Sequence, residues 1–162
     1  MILIDTSIYI EASEKEDVRK LLESIAKKYF VQSCDPIERE INKACDFLRN
    51  RGEKGEAEKL KIIYTETKQG LINLSDRILD LTRLYGQLAN HLSKDQYKKM
   101  NNDLRIVASA SVASVQTILS LNRKTMASEK MIEVYNKVNK EKGYRTPAFI
   151  TTMEGLSKLL QP

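Results

Sequence analysis

Asp5 closes the apolar run Ile2-Leu3-Ile4 and is followed at once by Thr6 and Ser7, so a carboxylate is fixed where a first buried strand would end. Open α/β sheets place their chemistry at such strand ends. Further acids follow along the chain: Glu38 and Glu40 after a second apolar stretch, and Asp103 opening an Ala/Ser-rich helical segment. An oxygen-only set of this kind points to a divalent-metal site, because hard Mg²⁺ prefers oxygen ligands and keeps several waters, so a few carboxylates suffice. Grouped carboxylates repel one another unless a cation is bound. The cation in turn lowers the pKa of a water and stabilises charge on a phosphoryl transition state. The hydroxyls of Thr6 and Ser7 stand where they can orient a carboxylate or a water.

Each acid also has a plainer reading. Asp5 and Asp103 taken singly suit helix N-caps, and Glu38 or Glu40 suits a helix dipole or a solvated face. Cys34 lies near the acids in sequence, yet a free cysteine is most often a small core residue. With Cys34, Cys45 and a single histidine, His91, the chain has no disulfide framework and no zinc ligand set.

At 162 residues the chain suits one domain over 1–162 with a sizeable core. Its apolar share of 41% beside 30% charged residues is that of a globular protein, and no apolar run approaches the roughly 20 residues that span a bilayer. The apolar start is broken by Asp5 and lacks a basic lead and a cleavage site, so it does not read as a signal peptide; a cytoplasmic location is expected. The net charge of +5 suits a polyanionic partner, and it is uneven: from Arg123 to Arg145 seven lysines and arginines face three glutamates. Arg123, Lys124 and Arg145 are candidates for phosphate contacts, or else solvate a face.

The elements that must position these residues alternate. Residues 2–5 and 29–33 read as strands around a helix from Ile8 to Lys28, with Val18, Leu21, Leu22 and Ile25 at helical spacing. Such a βαβ unit implies parallel pairing. Asp35-Pro36 reads as N-cap and first helical residue, opening a helix that forms a hairpin with a second from Glu56 to Lys68. A short strand at 71–74 precedes a helix capped by Ser75-Asp76, which carries Ile78, Leu81 and Tyr85. Asn101-Asn102-Asp103 reads as the next helix opening, and its small residues between Ala108 and Ser114 allow close packing on a sheet. Residues 117–121 read as a strand, Met126 to Asn139 as a helix with Met131 inward, and 149–152 as a last strand.

In this order and spacing the residues resemble the PIN-domain endoribonucleases, and within them the VapC-like toxins and their archaeal relatives. The resemblance runs almost end to end and rests on Ile4-Asp5-Thr6-Ser7, on Ser33 to Ile41, on Asp103 with Ile106-Val107-Ala108-Ser109-Ala110, and on Leu119-Ser120-Leu121-Asn122-Arg123-Lys124. It implies a three-layer α/β/α sandwich whose parallel sheet gathers acids that bind Mg²⁺ or Mn²⁺ and hydrolyse phosphodiester bonds in RNA. Asp5 and Asp103 match the first and third family acids. The second falls on Glu40, which an aliphatic residue follows directly, with Glu38 as the alternative. At the fourth position stands Asn122, which leaves three formal charges and a weaker hold on a second metal.

The resemblance further implies a homodimer, with the helical hairpin 36–68 or the helix near Tyr85 as interface, and a small antitoxin as partner if the chain is a toxin. An alternative is a non-catalytic PIN-like module that binds RNA or protein. No phosphatase DxDxT sequence follows the first strand, and there is no Walker glycine loop.

Overall fold

The computed structural model describes residues 1–89 and 91–161. Five short strands, β1 (Ile2–Ile4), β2 (Val31–Cys34), β3 (Gly70–Ile72), β4 (Thr117–Leu119) and β5 (Ala148–Ile150), form one sheet in the order β3-β2-β1-β4-β5. All four pairings are parallel, so every connection is a crossover carrying helices. Helices α1 (Thr6–Glu14) and α2 (Glu16–Lys28) join β1 to β2; α3 (Asp35–Asn50) and α4 (Lys54–Thr67) join β2 to β3. Then α5 (Asp76–Leu88) and α6 (Lys94–Val112) lead to β4, α7 (Glu129–Lys142) leads to β5, and α8 (Met153–Lys158) follows.

The first two crossovers step outward on one side of β1, and the third returns across it. Right-handed connections therefore put α1–α4 on one face of the sheet and α5–α7 on the other. The packing agrees, with α1 against α2 and α4, α3 against α4, and α5 against α6 and α7. The result is the three-layer, PIN-like α/β/α sandwich that the resemblance implies.

Covered on both faces, β1 buries Ile2, Leu3 and Ile4 alike, which is why it reads as an unbroken apolar run. Ala108, Ser109, Ala110 and Ser111 of α6 are buried as their size suggests. Four tyrosines fill the two helical layers: Tyr9 meets Tyr64 edge-on at 5.2 Å and Tyr85 meets Tyr135 at 4.9 Å. Met126 and Met131 are core residues. Among the described residues no helix is long and apolar enough to cross a membrane.

Behind α6 a buried polar network ties three helices. The Tyr85 hydroxyl donates to Asn139 Oδ1 at 2.6 Å, and Asn139 Nδ2 donates to Ser111 Oγ at 3.1 Å and Thr146 Oγ1 at 3.0 Å. Asn139→Ala leaves these groups buried without their partner, so it is expected to destabilise the fold by about 3 kcal/mol, or about 6–12 °C in melting temperature. A calorimetric shift under about 2 °C would show that the network carries little of the stability.

Several boundaries differ from the sequence reading. The predicted helix Ile8–Lys28 is two helices, broken where Lys15 is extended at φ −123°. Cys34, not Asp35, is the N-cap of α3, with Pro36 second in the helix. Helix α6 starts nine residues before Asp103, at a capping box in which Ser93 and Gln96 satisfy each other's backbone. Asp103 is thus mid-helix. The segment expected to start a helix at Met126 is turn, and α7 begins after Ser128 and ends at Gly143 in the left-handed conformation, φ 74°. Tyr85, on the helix named as an alternative dimer surface, is itself fully buried within the chain. Helix α8 was not anticipated.

Candidate active site

Strand order reverses at β1, which pairs with β2 on one side and β4 on the other, and this is the switch point at which open α/β sheets form a crevice beyond their strand ends. A cleft of about 420 Å³ lies there, lined by Asp5, Thr6, Ser7, Glu40, Asp103 and Asn122. Each acid arrives from a different connection: Asp5 from the end of β1, Glu40 from the second turn of α3, and Asp103 from the middle of α6.

Asp5 precedes α1, yet its carboxylate makes no capping bond to that helix. Its Oδ2 instead accepts from Ser7 Oγ at 2.6 Å and Ser120 Oγ at 2.8 Å. Those serines accept in turn from the backbone N–H of Leu121 and of Asn122. Both hydroxyl protons are thereby aimed at one carboxylate oxygen, and the other accepts no hydrogen bond among the described residues. At 5% exposure Asp5 is a buried acid with a defined orientation, not a surface cap.

Glu40 is held at both oxygens, by Thr6 Oγ1 at 2.8 Å and Asn102 Nδ2 at 2.9 Å. Glu38 faces elsewhere, in an ion pair with Lys68 at 3.0 Å. Of the two alternatives for the second acid, Glu40 lines the cleft and Glu38 does not. Glu38→Gln is therefore expected to leave Mn²⁺ affinity within about twofold, whereas Glu40→Gln weakens it about tenfold or more. Titration calorimetry on both variants separates them, and equal losses would remove Glu40 from the site.

Asp103 Oδ2 accepts from Asn122 Nδ2 at 3.1 Å and lies 2.7 Å from Thr125 Oγ1. The same Thr125 hydroxyl is 2.6 Å from Asn122 Oδ1, which also accepts from the Thr125 backbone N–H. The Asn122 amide thus turns its NH₂ toward Asp103 and its oxygen toward Thr125. Burial pushes the Asp103 carboxyl up to about 6, against the pull of the Thr125 hydroxyl and with the help of the neighbouring charges of Asp5 and Glu40. Burial likewise pushes the Cys34 thiol up to about 12, which makes it an inert core residue.

Among the described residues no three His, Cys, Asp or Glu side chains are drawn together as a ready metal cage. The oxygen donors that line the cleft nevertheless fit a hard cation, with three carboxylates and two hydroxyls, whereas Asn122, offered as a weak fourth ligand, turns its NH₂ to Asp103 and its oxygen to Thr125. Asp103 is also raised by its acidic neighbours, the repulsion that a bound cation relieves.

Of the basic candidates, Arg123 and Lys124 follow β4 and lie beside the cleft. Arg145 precedes β5, at the N-terminal ends of the parallel strands and so away from the acids at their C-terminal ends. Ser120, Thr125 and Asn102 were missed. A hydroxyl directly after β4 repeats the pattern of Thr6 after β1 and could have drawn attention to Ser120; Thr125 and Asn102 had no signal beyond lying near Asn122 and Asp103.

The sheet order and the crevice at its switch point define a PIN-like α/β/α sandwich. No family model matches the chain, and no curated protein matches it. A chain in the crystal structure of VapBC2 from Rickettsia felis, bound to a DNA fragment from their promoter, has the same fold, with a TM-score of 0.57 over 93% of this chain and 98% of that one. The two are 19% identical, so the likeness is one of fold.

Proposed function

We propose that the protein is a metal-dependent endoribonuclease of the cytoplasm that hydrolyses phosphodiester bonds in RNA. The observation that carries this reading is the convergence of Asp5, Glu40 and Asp103 on one cleft at the switch point of the sheet. Mg²⁺ or Mn²⁺ held by these three carboxylates would supply an activated water and would stabilise charge on the phosphorus centre. Ser7 and Ser120 orient Asp5, Thr6 and Asn102 orient Glu40, and Asn122 and Thr125 orient Asp103. Supporting partners of this kind fix ligand geometry before the metal arrives. Arg123 and Lys124 offset the repulsion between the acids and an incoming phosphate chain.

The fold shared with a chain of VapBC2 supports the toxin version of this activity, in which a small antitoxin covers the cleft. For a homodimer, the α3–α4 hairpin is the better surface, since Phe47 is 59% and Ile62 46% exposed. Asn122 favours a second reading, a module that binds RNA or protein without cutting, because an amide stands where a fourth acid would complete the set. Cleavage of labelled RNA by the purified protein in EDTA, Mg²⁺ or Mn²⁺ separates the two. Cutting only with metal supports the nuclease; no cutting, together with no Mn²⁺ binding by calorimetry, overturns it in favour of the binding module.

A further inference from the structure

The hydrogen bonds within the cleft decide how many oxygens each acid has left for a cation. A carboxylate offers about four lone-pair sites, two on each oxygen. Asp5 Oδ2 accepts from both Ser7 and Ser120, so its sites are filled from within the chain and Oδ1 remains. Glu40 accepts one bond at each oxygen, from Thr6 and from Asn102, and keeps room at both. Asp103 Oδ2 accepts from Asn122 Nδ2 at 3.1 Å and has the Thr125 hydroxyl at 2.7 Å, while its Oδ1 accepts no bond among the described residues.

The orientation of the Asn122 amide follows from its neighbours. The backbone N–H of Thr125 points at Asn122 Oδ1 at 3.2 Å, which sets the amide oxygen on that side and the NH₂ on Asp103. Turned over, the amide would set oxygen against carboxylate and N–H against N–H. The Thr125 hydroxyl has a single proton and stands within hydrogen-bond distance of both Asp103 Oδ2 and Asn122 Oδ1. Whichever of the two it serves, Asn122 is the constant donor to Asp103 Oδ2, and both approaches to that oxygen are taken.

Two-metal centres hold their ions about 3.5–4 Å apart. A carboxylate that bridges such a pair gives one oxygen to each ion. Neither Asp5 nor Asp103 has a second oxygen to give, and the Asn122 oxygen is engaged with Thr125. A carboxylate at position 122 would offer no N–H to Asp103; two like charges would meet there and would need a cation between them. The amide does that work as a neutral donor. We propose that the cleft is a single-cation centre, in which Asp5 Oδ1, Asp103 Oδ1 and Glu40 serve one divalent ion, and that Asn122 is a positioning residue that takes the place of a second ion by holding Asp103 Oδ2. The proposal rests on the reading of the cleft as a metal site.

The test is titration of the full chain with Mn²⁺, read by calorimetry for stoichiometry and affinity and by electron paramagnetic resonance for the surroundings of each ion. The wild type is expected to take one ion per chain, with the spectrum of an isolated ion. Asn122→Asp, which removes the N–H donor and adds a charge, should take a second ion, and coupling between the neighbouring ions should broaden the spectrum. Asn122→Ala should stay at one ion and bind it about tenfold more weakly, the cost of a lost supporting partner. Two ions in the wild type, a single ion in Asn122→Asp, or unchanged affinity in Asn122→Ala would overturn the proposal, the last by leaving Asn122 as a turn residue only. The wild-type stoichiometry needs no variant, so the count of ions is decided whether or not a substitution disturbs the fold. A wild type that takes no Mn²⁺ removes the metal reading of the cleft and the single-cation centre with it, whereas two ions remove the proposal and leave that reading standing.

Discussion

Asp5→Asn is expected to lower metal-dependent RNA cleavage by more than ~100-fold while leaving the fold intact. Removing a residue that only supports a metal ligand costs about 10–100-fold, and loss of a ligand's charge lies beyond that range. The amide oxygen of Asn can still accept from Ser7 and Ser120, so the bonds that orient the side chain survive and only its charge is lost. The measurement is the cleavage rate of a labelled single-stranded RNA in Mg²⁺ and in Mn²⁺, with circular dichroism as the check on folding. A folded variant that cuts at the wild-type rate would show that the activity lies elsewhere or in a contaminant.

Asp103→Asn is expected to shift stability in two opposite directions, upward in the metal-free protein and downward, relative to the wild type, in the metal-loaded one. The native carboxyl is raised to about 6 by burial and by Asp5 and Glu40, against about 3.9 in an unfolded chain. A group raised in this way adds no penalty while it is protonated in both states. As pH climbs through that interval the unfolded chain releases its proton first, so stability falls, and the loss is complete above about pH 6. An uncharged amide escapes this loss. In EDTA above pH 6 the variant should therefore be more stable than the wild type by about 1–3 kcal/mol, or several degrees, and near pH 4 the gain should vanish. Saturating Mn²⁺ should reverse the order, because ligand binding stabilises only the chain that binds it. Calorimetric melting at two pH values with and without Mn²⁺ gives all the terms. A variant less stable than the wild type under every condition would mean that Asp103 acts mainly through the bonds from Asn122 and Thr125.

The legible parts of the sequence are those whose physics is local. A strand buried on both faces must be apolar, and an acid at its end is conspicuous, so β1 and Asp5 stand out. The amphipathic spacing of α3 and α5 likewise reflects a single core face. The start of α6 was hidden because Lys94 to Asn102 is almost wholly polar, although Ser93 and Gln96 carry a capping-box signal. Nothing local marks the break at Lys15, where neither Gly nor Pro stands and the turn serves packing between α1 and α2. Glu38 and Glu40 differ only in the helix face they share with distant groups, Lys68 for one and Asn102 for the other. The roles of Ser120 and Thr125 depend on contacts across 115 residues in one case and 22 in the other, which no periodicity encodes.

The sheet is built from strands of three or four residues, and its two outer ones, β3 and β5, have three each. An outer strand that short offers another chain too few free backbone groups to serve as a template, and Pro147 directly before β5 shortens the usable length further. Self-association by strand addition is thereby blocked at both margins. A macromolecule that recognises this protein has to read side chains on helices and loops, and specificity will be written in their charge and shape rather than in backbone pairing.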